Sequence, residues 1–348
     1  MAASTKATTT RARAKTTPRR KDVLNTAVVG MGIGRLHIKG YERSGRARTV
    51  AVCDINKERA QDAAQVHNVS HVYTDYRQML KRADIDAVSV CTPNYLHAEV
   101  AVAALEAGKH VICEKPLAMN AAEGQAMVDQ ARRSKKILML ALNNRFRGDT
   151  QTLKRFIKAG ELGDIYYGKT AWLRRSGIPG GWFRVKQQAG GGPLIDLGVH
   201  MLDLTWWLMG SPKPIAASGQ THQSKRGRSA VEDLAVALLR FENKKTIFVE
   251  ASWVSHLERE TMPVQLFGTE GGATLGPLRV YKDMHGTTAD INLGFREVNG
   301  HMMEMVHFVE CCLDGKSVLA PGKDGLAVQK MLDAIYESAR VGHEVRID

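Results

Sequence analysis

Three alternating glycines near the start of the chain constrain its fold more than any other feature. Gly30, Gly32 and Gly34 follow an apolar run that ends at Val29, and a helical pattern begins directly after them. In a dinucleotide-binding βαβ unit, such glycines allow a tight turn, close approach of a pyrophosphate, and close packing of the helix on the strand. The helix N-terminus offers unpaired N–H groups and a positive dipole end to phosphates. The segment predicts a nucleotide site that includes Gly30, Gly32, Ile33 and Gly34.

A carboxylate at the end of the second apolar run indicates which nucleotide binds. Asp54 lies 20 residues after Gly34, where its side chain can accept hydrogen bonds from both ribose hydroxyls. The same carboxylate repels the extra phosphate of NADP, so the sequence predicts NAD and disfavours NADP. The glycine spacing departs from the common G-x-G-x-x-G pattern, because Arg35 stands where the third glycine is expected.

The order of apolar patterns divides the chain into two folded parts. Strand-like runs alternate with helical patterns up to residue 145, which predicts a doubly wound parallel Rossmann sheet over residues 23–145. Helices are expected at 56–68, 95–107 and 121–134. Residues 146–348 then show alternating apolar and polar strands with a helix at each end, which predicts an α+β domain with an open, mostly antiparallel sheet. The C-terminal helix is expected to pack back on the Rossmann domain.

The charge of the chain is concentrated at its start. The net charge is +13, and seven Lys and Arg residues but no acid fall within the first 21 residues. Residues 1–22 therefore predict a disordered basic tail, and the body gives no reason to expect a nucleic-acid partner. No apolar run is long enough for a membrane span. The five cysteines form no C-x-x-C pair, which indicates buried thiols in a reducing, cytoplasmic compartment and no metal site.

Two polar clusters directly follow predicted strands of the first domain. Thr92, Pro93 and Asn94, with His97 close behind, come after one strand, and Glu114-Lys115-Pro116 comes after the next. Open α/β sheets bind ligands at the carboxyl ends of their strands. We therefore expect Thr92, Pro93, Asn94, His97, Glu114 and Lys115 to contact the cofactor.

A third cluster lies on a predicted helix of the second domain. Asp196 and His200 are four residues apart and are expected to share one helix face, which Asp203 can border. Such a cluster can orient a general-base imidazole, form a structural capping network, or contribute to a metal site. His301 and His307, near the end of the chain, are interpreted as surface or core histidines.

Taken together, these motifs resemble the glucose–fructose oxidoreductase and inositol dehydrogenase family (Gfo/Idh/MocA). The glycine turn that ends in His37, the Thr92 and Lys115 clusters, the segment 143–146, and the Asp196/His200 helix occur in the family order. The resemblance spans the chain from about Val23 to its end. It implies that Lys115 is the catalytic lysine and that Asp196 and His200 complete the catalytic site. It also implies that the second domain binds the substrate and forms subunit contacts, as a homodimer or homotetramer.

These residue types suit the oxidation of a secondary alcohol. A neutral His200 can take the hydroxyl proton, Asp196 can orient it or hold a substrate hydroxyl, and Lys115 can stabilise the developing alkoxide. Aromatic rings at Trp172, Trp182 and Phe183 can stack on a sugar ring. The predicted substrate-binding residues are Lys115, Arg145, Trp172, Trp182, Phe183, Asp196 and His200.

The sequence therefore predicts an NAD-dependent oxidoreductase that acts on a cyclic sugar, a glycoside or an inositol. Two alternatives stay open. The first is a glycosidase that uses NAD transiently, by oxidation and elimination. The second is a nucleotide or sugar sensor without activity on the same fold.

Overall fold

The first domain is built on a six-stranded parallel sheet. A computed structural model describes residues 22–224 and 229–347, so the predicted basic tail lies outside the described residues except for Asp22. The strands follow the spatial order β3-β2-β1-β4-β5-β6. They are β1 Leu24–Val29, β2 Ala47–Cys53, β3 His71–Tyr73, β4 Ala87–Val90, β5 His110–Glu114 and β6 Leu138–Ala141. The order reverses between β1 and β4, and ligands of doubly wound sheets bind at such a point.

Helices cover this sheet and confirm the predicted doubly wound Rossmann architecture. They are α1 Gly34–Ser44, α2 Lys57–Val66, α3 Tyr76–Leu80, α4 His97–Glu106 and α5 Ala121–Ser134. The cap of α5 shows why that helix begins where predicted. Asn120 accepts a hydrogen bond from the Glu123 amide at 3.0 Å, and Glu123 reaches back to the Met119 amide at 3.2 Å. This reciprocal arrangement satisfies amides that the helix itself leaves unpaired.

In the described residues, the second domain contains a nine-stranded sheet in which only β7 and β10 pair in parallel. The order is β14-β13-β12-β11-β7-β10-β9-β8-β15. The strands are β7 Ile165–Leu173, β8 Pro214–His222, β9 Leu234–Phe241, β10 Thr246–Ser252, β11 Val264–Gly268, β12 Gly272–Leu275, β13 Arg279–Met284, β14 Thr287–Asn292 and β15 Val345–Arg346. Buried and exposed residues alternate along β9 and β11, since one face of the sheet carries the core. The predicted open, mostly antiparallel sheet is confirmed.

Five helices accompany this sheet, and two of them return to the first domain. They are α6 Gly148–Lys158, α7 Lys186–Ala189, α8 Val199–Leu208, α9 Gly300–Asp314 and α10 Gly322–Val341. Met305 and Phe308 of α9 lie in the core of the first domain. On α10, Leu326 belongs to that same core, whereas Met331 and Ile335 belong to the core of the second domain. The last part of the chain therefore contacts both cores, although the boundary at residue 145 stays a prediction.

Three further observations concern membranes, cysteines and metals. Within the described residues, no helix is both long enough and apolar enough to cross a membrane. All five cysteines are free thiols, and only Cys312 is partly exposed. Nowhere in residues 22–224 and 229–347 do three or more His, Cys, Asp or Glu side chains come together as a metal site.

Candidate active site

One cavity of about 770 Å³ lies at the carboxyl ends of the parallel strands and extends to the second domain. Its lining includes Asp54 of the first domain and His200 of the second. Of the predicted site residues, the cavity is lined by Gly30, Gly32, Ile33, Asp54, Thr92, Pro93, Asn94, His97, Glu114, Lys115, Trp172, Trp182, Phe183, Asp196 and His200. Gly34 and Arg145 do not line it.

The glycine turn has the form that a pyrophosphate site requires. Gly30 has a φ of +93°, and a Cβ there would overlap with the carbonyl oxygen of Cys91. A Cβ at Gly34 would come within 2.7 Å of Val28, so this glycine allows α1 to pack closely on β1. Gly32 faces open space. The first turn of α1 has neither a side-chain cap nor an acidic residue, so its amides remain available to an anion.

Asp54 is hydrogen-bonded to the glycine turn and also lines the cavity. Its Oδ2 accepts a hydrogen bond from the Met31 amide at 2.7 Å, and its Oδ1 accepts one from the Asn56 amide at 2.9 Å. A carboxylate has about four acceptor positions, so two remain for ribose hydroxyls. The guanidinium of Arg59 lies 3.7 Å from Oδ2 and also lines the cavity.

The segment after β4 combines a free hydroxyl with side chains that brace the loop. The Thr92 hydroxyl oxygen is buried, and no described residue hydrogen-bonds to it, although it lines the cavity. Asn94 donates to the carbonyl oxygen of Ala189 at 2.8 Å. His97 lies between the carbonyl oxygens of Pro116 and Thr92, at 2.8 and 2.9 Å. Burial lowers the pKa of His97, and the two carbonyl contacts oppose that shift; the ring lies between the loops that follow β4 and β5.

Glu114 is a buried carboxylate held by the helix that follows the glycine turn. Its Oε1 lies 3.1 Å from His37 Nε2, and its Oε2 accepts the Lys115 amide at 3.2 Å. On the other side of the ring, His37 Nδ1 lies 3.0 Å from the hydroxyl of Ser89. Burial alone raises the pKa of Glu114, but the hydrogen bond and charge of His37 and the charge of Lys115 lower it to about 2.

Lys115 reaches across the cavity and binds the second domain. Its Nζ donates to the backbone carbonyl of Asp196 at 2.9 Å and to Asp196 Oδ1 at 3.2 Å. Asp196 Oδ2 accepts a hydrogen bond from Trp253 at 3.1 Å, and Arg174 lies 3.8 Å away. Burial raises the pKa of Asp196, but Lys115, Trp253 and Arg174 outweigh it and leave the pKa below its usual value. The pair is therefore a charged contact between the two domains.

Asp196 and His200 both line the cavity, but no hydrogen bond joins their side chains in the described part of the chain. Residues Leu194–Gly198 form a π-helical turn before α8, and Asp196 is directed to Lys115 and Trp253. His200 Nδ1 is buried without a hydrogen-bond partner among the described residues. Burial, followed by the charge of Lys115, lowers the pKa of His200 to about 3. His200 is therefore a neutral imidazole in the cavity at ordinary pH.

Arg145 corrects the sequence prediction, because the structure places it in the interior instead of the substrate site. Its side chain is 0% exposed. It forms two hydrogen bonds to Asp203, at 2.6 and 3.0 Å, and one to Asp324 at 2.8 Å. Asp203 is thus directed to Arg145 and not to the face of His200. The three residues connect α8 and α10 with the end of the first domain.

The predicted aromatic residues lie together at the cavity. The rings of Trp182 and Phe183 stack on each other at 3.9 Å. Trp172 lies tilted against His200 with ring centroids 5.7 Å apart, and its Nε1 donates to Glu260 at 2.5 Å. An apolar ring surface beside a neutral imidazole and a lysine is suited to the mixed C–H and O–H surface of a sugar.

Sequence reasoning missed several residues of the cavity. His301 lines it from the first turn of α9, although it was interpreted as a surface or core histidine. Trp253 lies just after β10 and does not line the cavity, but it donates a hydrogen bond to Asp196, which does. Tyr76 and Arg77 line the end of the cavity near Asp54. For these residues, the one local sequence signal is the spacing of His301 and Glu304, which are three residues apart in a helical pattern and can therefore contact each other.

Comparison with known proteins identifies the family. Residues 24–142 match the model of the oxidoreductase family with an NAD-binding Rossmann fold, and residues 150–274 match the GFO/IDH/MocA C-terminal domain. The chain belongs to the GFO/IDH/MocA family of oxidoreductases. The predicted family and the NAD cofactor are therefore confirmed, and the first domain is an NAD-binding domain.

Individual family members cover nearly the whole chain. D-glucoside 3-dehydrogenase of Escherichia coli is 35% identical over 93% of this chain and 97% of that enzyme. Myo-inositol 2-dehydrogenase of Thermotoga maritima is 25% identical over 87% of this chain and 92% of that enzyme. A solved structure of levoglucosan dehydrogenase in complex with NADH and levoglucosan matches with a TM-score of 0.84 and 27% identity, over 93% of this chain and 99% of that one.

Proposed function

We propose that this GFO/IDH/MocA oxidoreductase oxidises a secondary hydroxyl of a cyclic glycoside or sugar and transfers the hydride to NAD. The observation that carries the proposal is the convergence of Lys115 from one domain, and Asp196 and His200 from the other, on a single cavity. That cavity begins at the glycine turn. The proposed nucleotide site and the reacting groups therefore share one cavity.

The residues at the nucleotide end fit the cofactor. The turn at Gly30 leaves no space for a side chain, and the buried Thr92 hydroxyl has no protein partner among the described residues. Asp54 retains acceptor positions for ribose hydroxyls. When bound, the nicotinamide cofactor supplies the hydride acceptor, and the protein supplies binding and orientation.

In the proposed reaction, Lys115 and His200 have different roles at the substrate hydroxyl group. His200 is neutral at ordinary pH and accepts the hydroxyl proton as the hydride leaves the same carbon. The Lys115 ammonium stabilises the negative charge that develops on the oxygen. Asp196 positions Lys115 through two hydrogen bonds that involve its backbone and its carboxylate.

The proposed substrate class rests on the aromatic side of the cavity and on relatives. Trp172 and the stacked pair Trp182 and Phe183 offer apolar ring surface next to the catalytic groups. D-glucoside 3-dehydrogenase, at 35% identity over 93% of this chain, supports a glycoside over a free cyclitol. An inositol remains the related alternative, supported by the inositol dehydrogenase at 25% identity.

A substrate screen with matched variants tests this proposal. Glucosides, free sugars and inositols are incubated with NAD, and NADH formation is followed by absorbance. For a substrate that the wild type oxidises, Lys115→Met and His200→Gln should lower kcat about 100-fold or more while NAD still binds. The controls are Lys57→Met and His222→Gln, at exposed positions. Near-normal turnover in either active-site variant refutes the assignment, and release of aglycone without net NADH identifies the glycosidase.

The proposal extends to the assembly and compartment of the enzyme. One face of the second sheet carries partly exposed apolar residues on separate strands, with Leu238 41% and Phe267 38% exposed, and Phe267 stacks on Tyr167. Burying such a surface favours a homodimer or homotetramer. Five free cysteines support a reducing compartment such as the cytoplasm. Light scattering of the wild type and Phe267→Lys measures the assembly, and a monomeric wild type refutes it.

A further inference from the structure

A histidine outside the predicted catalytic residues lies at the inner end of the cavity. His301 is in the first turn of α9 and lines the cavity together with Glu114, Lys115 and His200. Its Nε2 lies 3.2 Å from the side-chain nitrogen of Asn143. The amide nitrogen can only donate, so Nε2 accepts and the ring proton is assigned to Nδ1.

Directly behind His301 lies a carboxyl group that has no hydrogen bond. Glu304 is fully buried, and neither of its oxygens has a hydrogen-bond partner among the described residues. Its Oε1 lies 3.5 Å from His301 Nδ1. A buried carboxylate without partners is very unfavourable, and such a group takes up a proton instead. Burial, and next the charge of Glu114, hold the pKa of Glu304 well above its ordinary value.

We propose that His301 is a further cofactor-facing residue and that His301 and Glu304 form a neutral pair which sets the relative affinity for oxidised and reduced cofactor. The oxidised nicotinamide ring carries a positive charge, and the reduced ring is neutral. The ammonium of Lys115 already places one positive charge in this part of the cavity. A second positive charge on His301 therefore weakens binding of the oxidised form more than binding of the reduced form.

The groups around the pair determine which protonation changes matter. Glu114 and Lys115 face it from the end of β5, His37 and Tyr41 from α1, Cys91 from the end of β4, and His200 from α8. Burial raises the pKa of both Tyr41 and Cys91, so these two stay neutral. Glu114 stays ionised, because its pKa is about 2. Burial lowers the pKa of His301, so the pair gains positive charge only on acidification.

Cofactor binding at different pH values tests the proposal without any sugar substrate. The dissociation constant of NADH is measured by fluorescence and that of NAD by competition, between about pH 8 and about pH 5. In the wild type, the ratio of the NAD constant to the NADH constant should rise about tenfold toward the acidic end. His301→Gln, which cannot become charged, should keep this ratio constant. The matched control is His307→Gln on the same helix, which lies outside the cavity lining and should behave as the wild type does.

A second variant tests the protonation of Glu304. Glu304→Gln imitates a protonated carboxyl, so at neutral pH the ratio should stay within about twofold of the wild type. In the infrared spectrum, the C=O stretch of a buried carboxylic acid should be present in the wild type and absent from this variant. If Glu304→Gln does not fold, absence of any buried-acid band in the wild type still overturns the proposal, since a protonated Glu304 requires one, and the pH series of His301→Gln carries the support. A pH-dependent ratio that persists in His301→Gln, or a missing infrared band, overturns the proposal. Both readouts are independent of the sugar, so they can fail while the proposed reaction stands.

Discussion

Replacing Arg145 by methionine should cost about 3–5 kcal/mol of unfolding free energy, because it leaves a buried carboxylate without its cation. Methionine fills much of the same space, so the effect is mainly electrostatic. The guanidinium is 0% exposed and makes three hydrogen bonds to Asp203 and Asp324, as well as one to the carbonyl of Leu319 at 2.8 Å. Asp203 is itself 1% exposed, so water cannot replace the lost partner.

The assay is thermal and urea unfolding of Arg145→Met beside a surface control. Arg132→Met removes an arginine whose side chain is 80% exposed and pairs with Asp129, so its cost should stay below about 1 kcal/mol. For Arg145→Met, the loss corresponds to a decrease in melting temperature of roughly 4–7 °C for a chain of this length. KM for the sugar should change little, since Arg145 does not line the cavity.

The pH dependence of this loss gives an independent check of its cause. Burial raises the pKa of Asp203, and in the native protein Arg145 opposes that increase. Without the arginine, the folded-state pKa of Asp203 rises further above the unfolded value. The protonated form is then stabilised in the folded state, so the stability lost at neutral pH begins to return as the pH falls below the raised pKa and is fully regained only below the unfolded-state pKa. A loss below 1 kcal/mol, or an altered KM with unchanged stability, refutes the interior role and restores the sequence prediction.

Three further predictions concern the cofactor and the base. Gly30→Ala should weaken the binding of NAD at least about tenfold, as measured by calorimetry, because the new Cβ overlaps with the Cys91 carbonyl. An unchanged affinity would contradict this turn geometry. Asp54→Ser should weaken the binding of NAD and strengthen the binding of NADP, and adding Arg59→Ala should abolish the gain in NADP affinity. A wild type that binds NADP more tightly than NAD in titrations contradicts the placement of Asp54 at the ribose. Burial lowers the pKa of His200 to about 3, so protonation of His200 should not reduce kcat/KM until the pH approaches that value. An acidic limb near neutral pH that is lost in His200→Gln contradicts this prediction.

The Rossmann half could be predicted in detail because its signals are local. A tight turn, a capping residue and an apolar run act within a few positions, so α5 begins and ends at the predicted residues, Ala121–Ser134. The helix expected from residue 95 begins instead at His97, after a short 3₁₀ turn. The strands of the second domain were also recognisable from their alternation. Their order was not, because the parallel pairing of β7 with β10 joins residues that are about 80 positions apart, such as Tyr167 and Thr246.

The errors at the site arise where a partner is distant in sequence. Arg145 looked like a free cation because its carboxylate partners lie 58 and 179 residues further along the chain. His301 looked unremarkable because Asn143, which fixes its ring, lies 158 residues earlier. A sequence pattern reports the type of a side chain and its helix or strand, but not which distant group meets it. Long-range charge pairs therefore decide whether an arginine binds a substrate or the core.

The prediction for Asp196 and His200 differed from the structure for another reason. Their spacing in the sequence was read correctly, but the helix type around Asp196 was not. Four residues place two side chains on one face of an α-helix, but Leu194–Gly198 is a π-helical turn, which has a different periodicity. Asp196 is thereby directed to Lys115 and Trp253, while His200 remains without a carboxylate partner. This separation has a chemical consequence. Asp196 hydrogen-bonds to the lysine, and burial and the charge of Lys115 outweigh the opposing charge of Asp196 on His200, so the pKa of the base stays low. Loss of Asp196 should therefore disturb Lys115 more than His200.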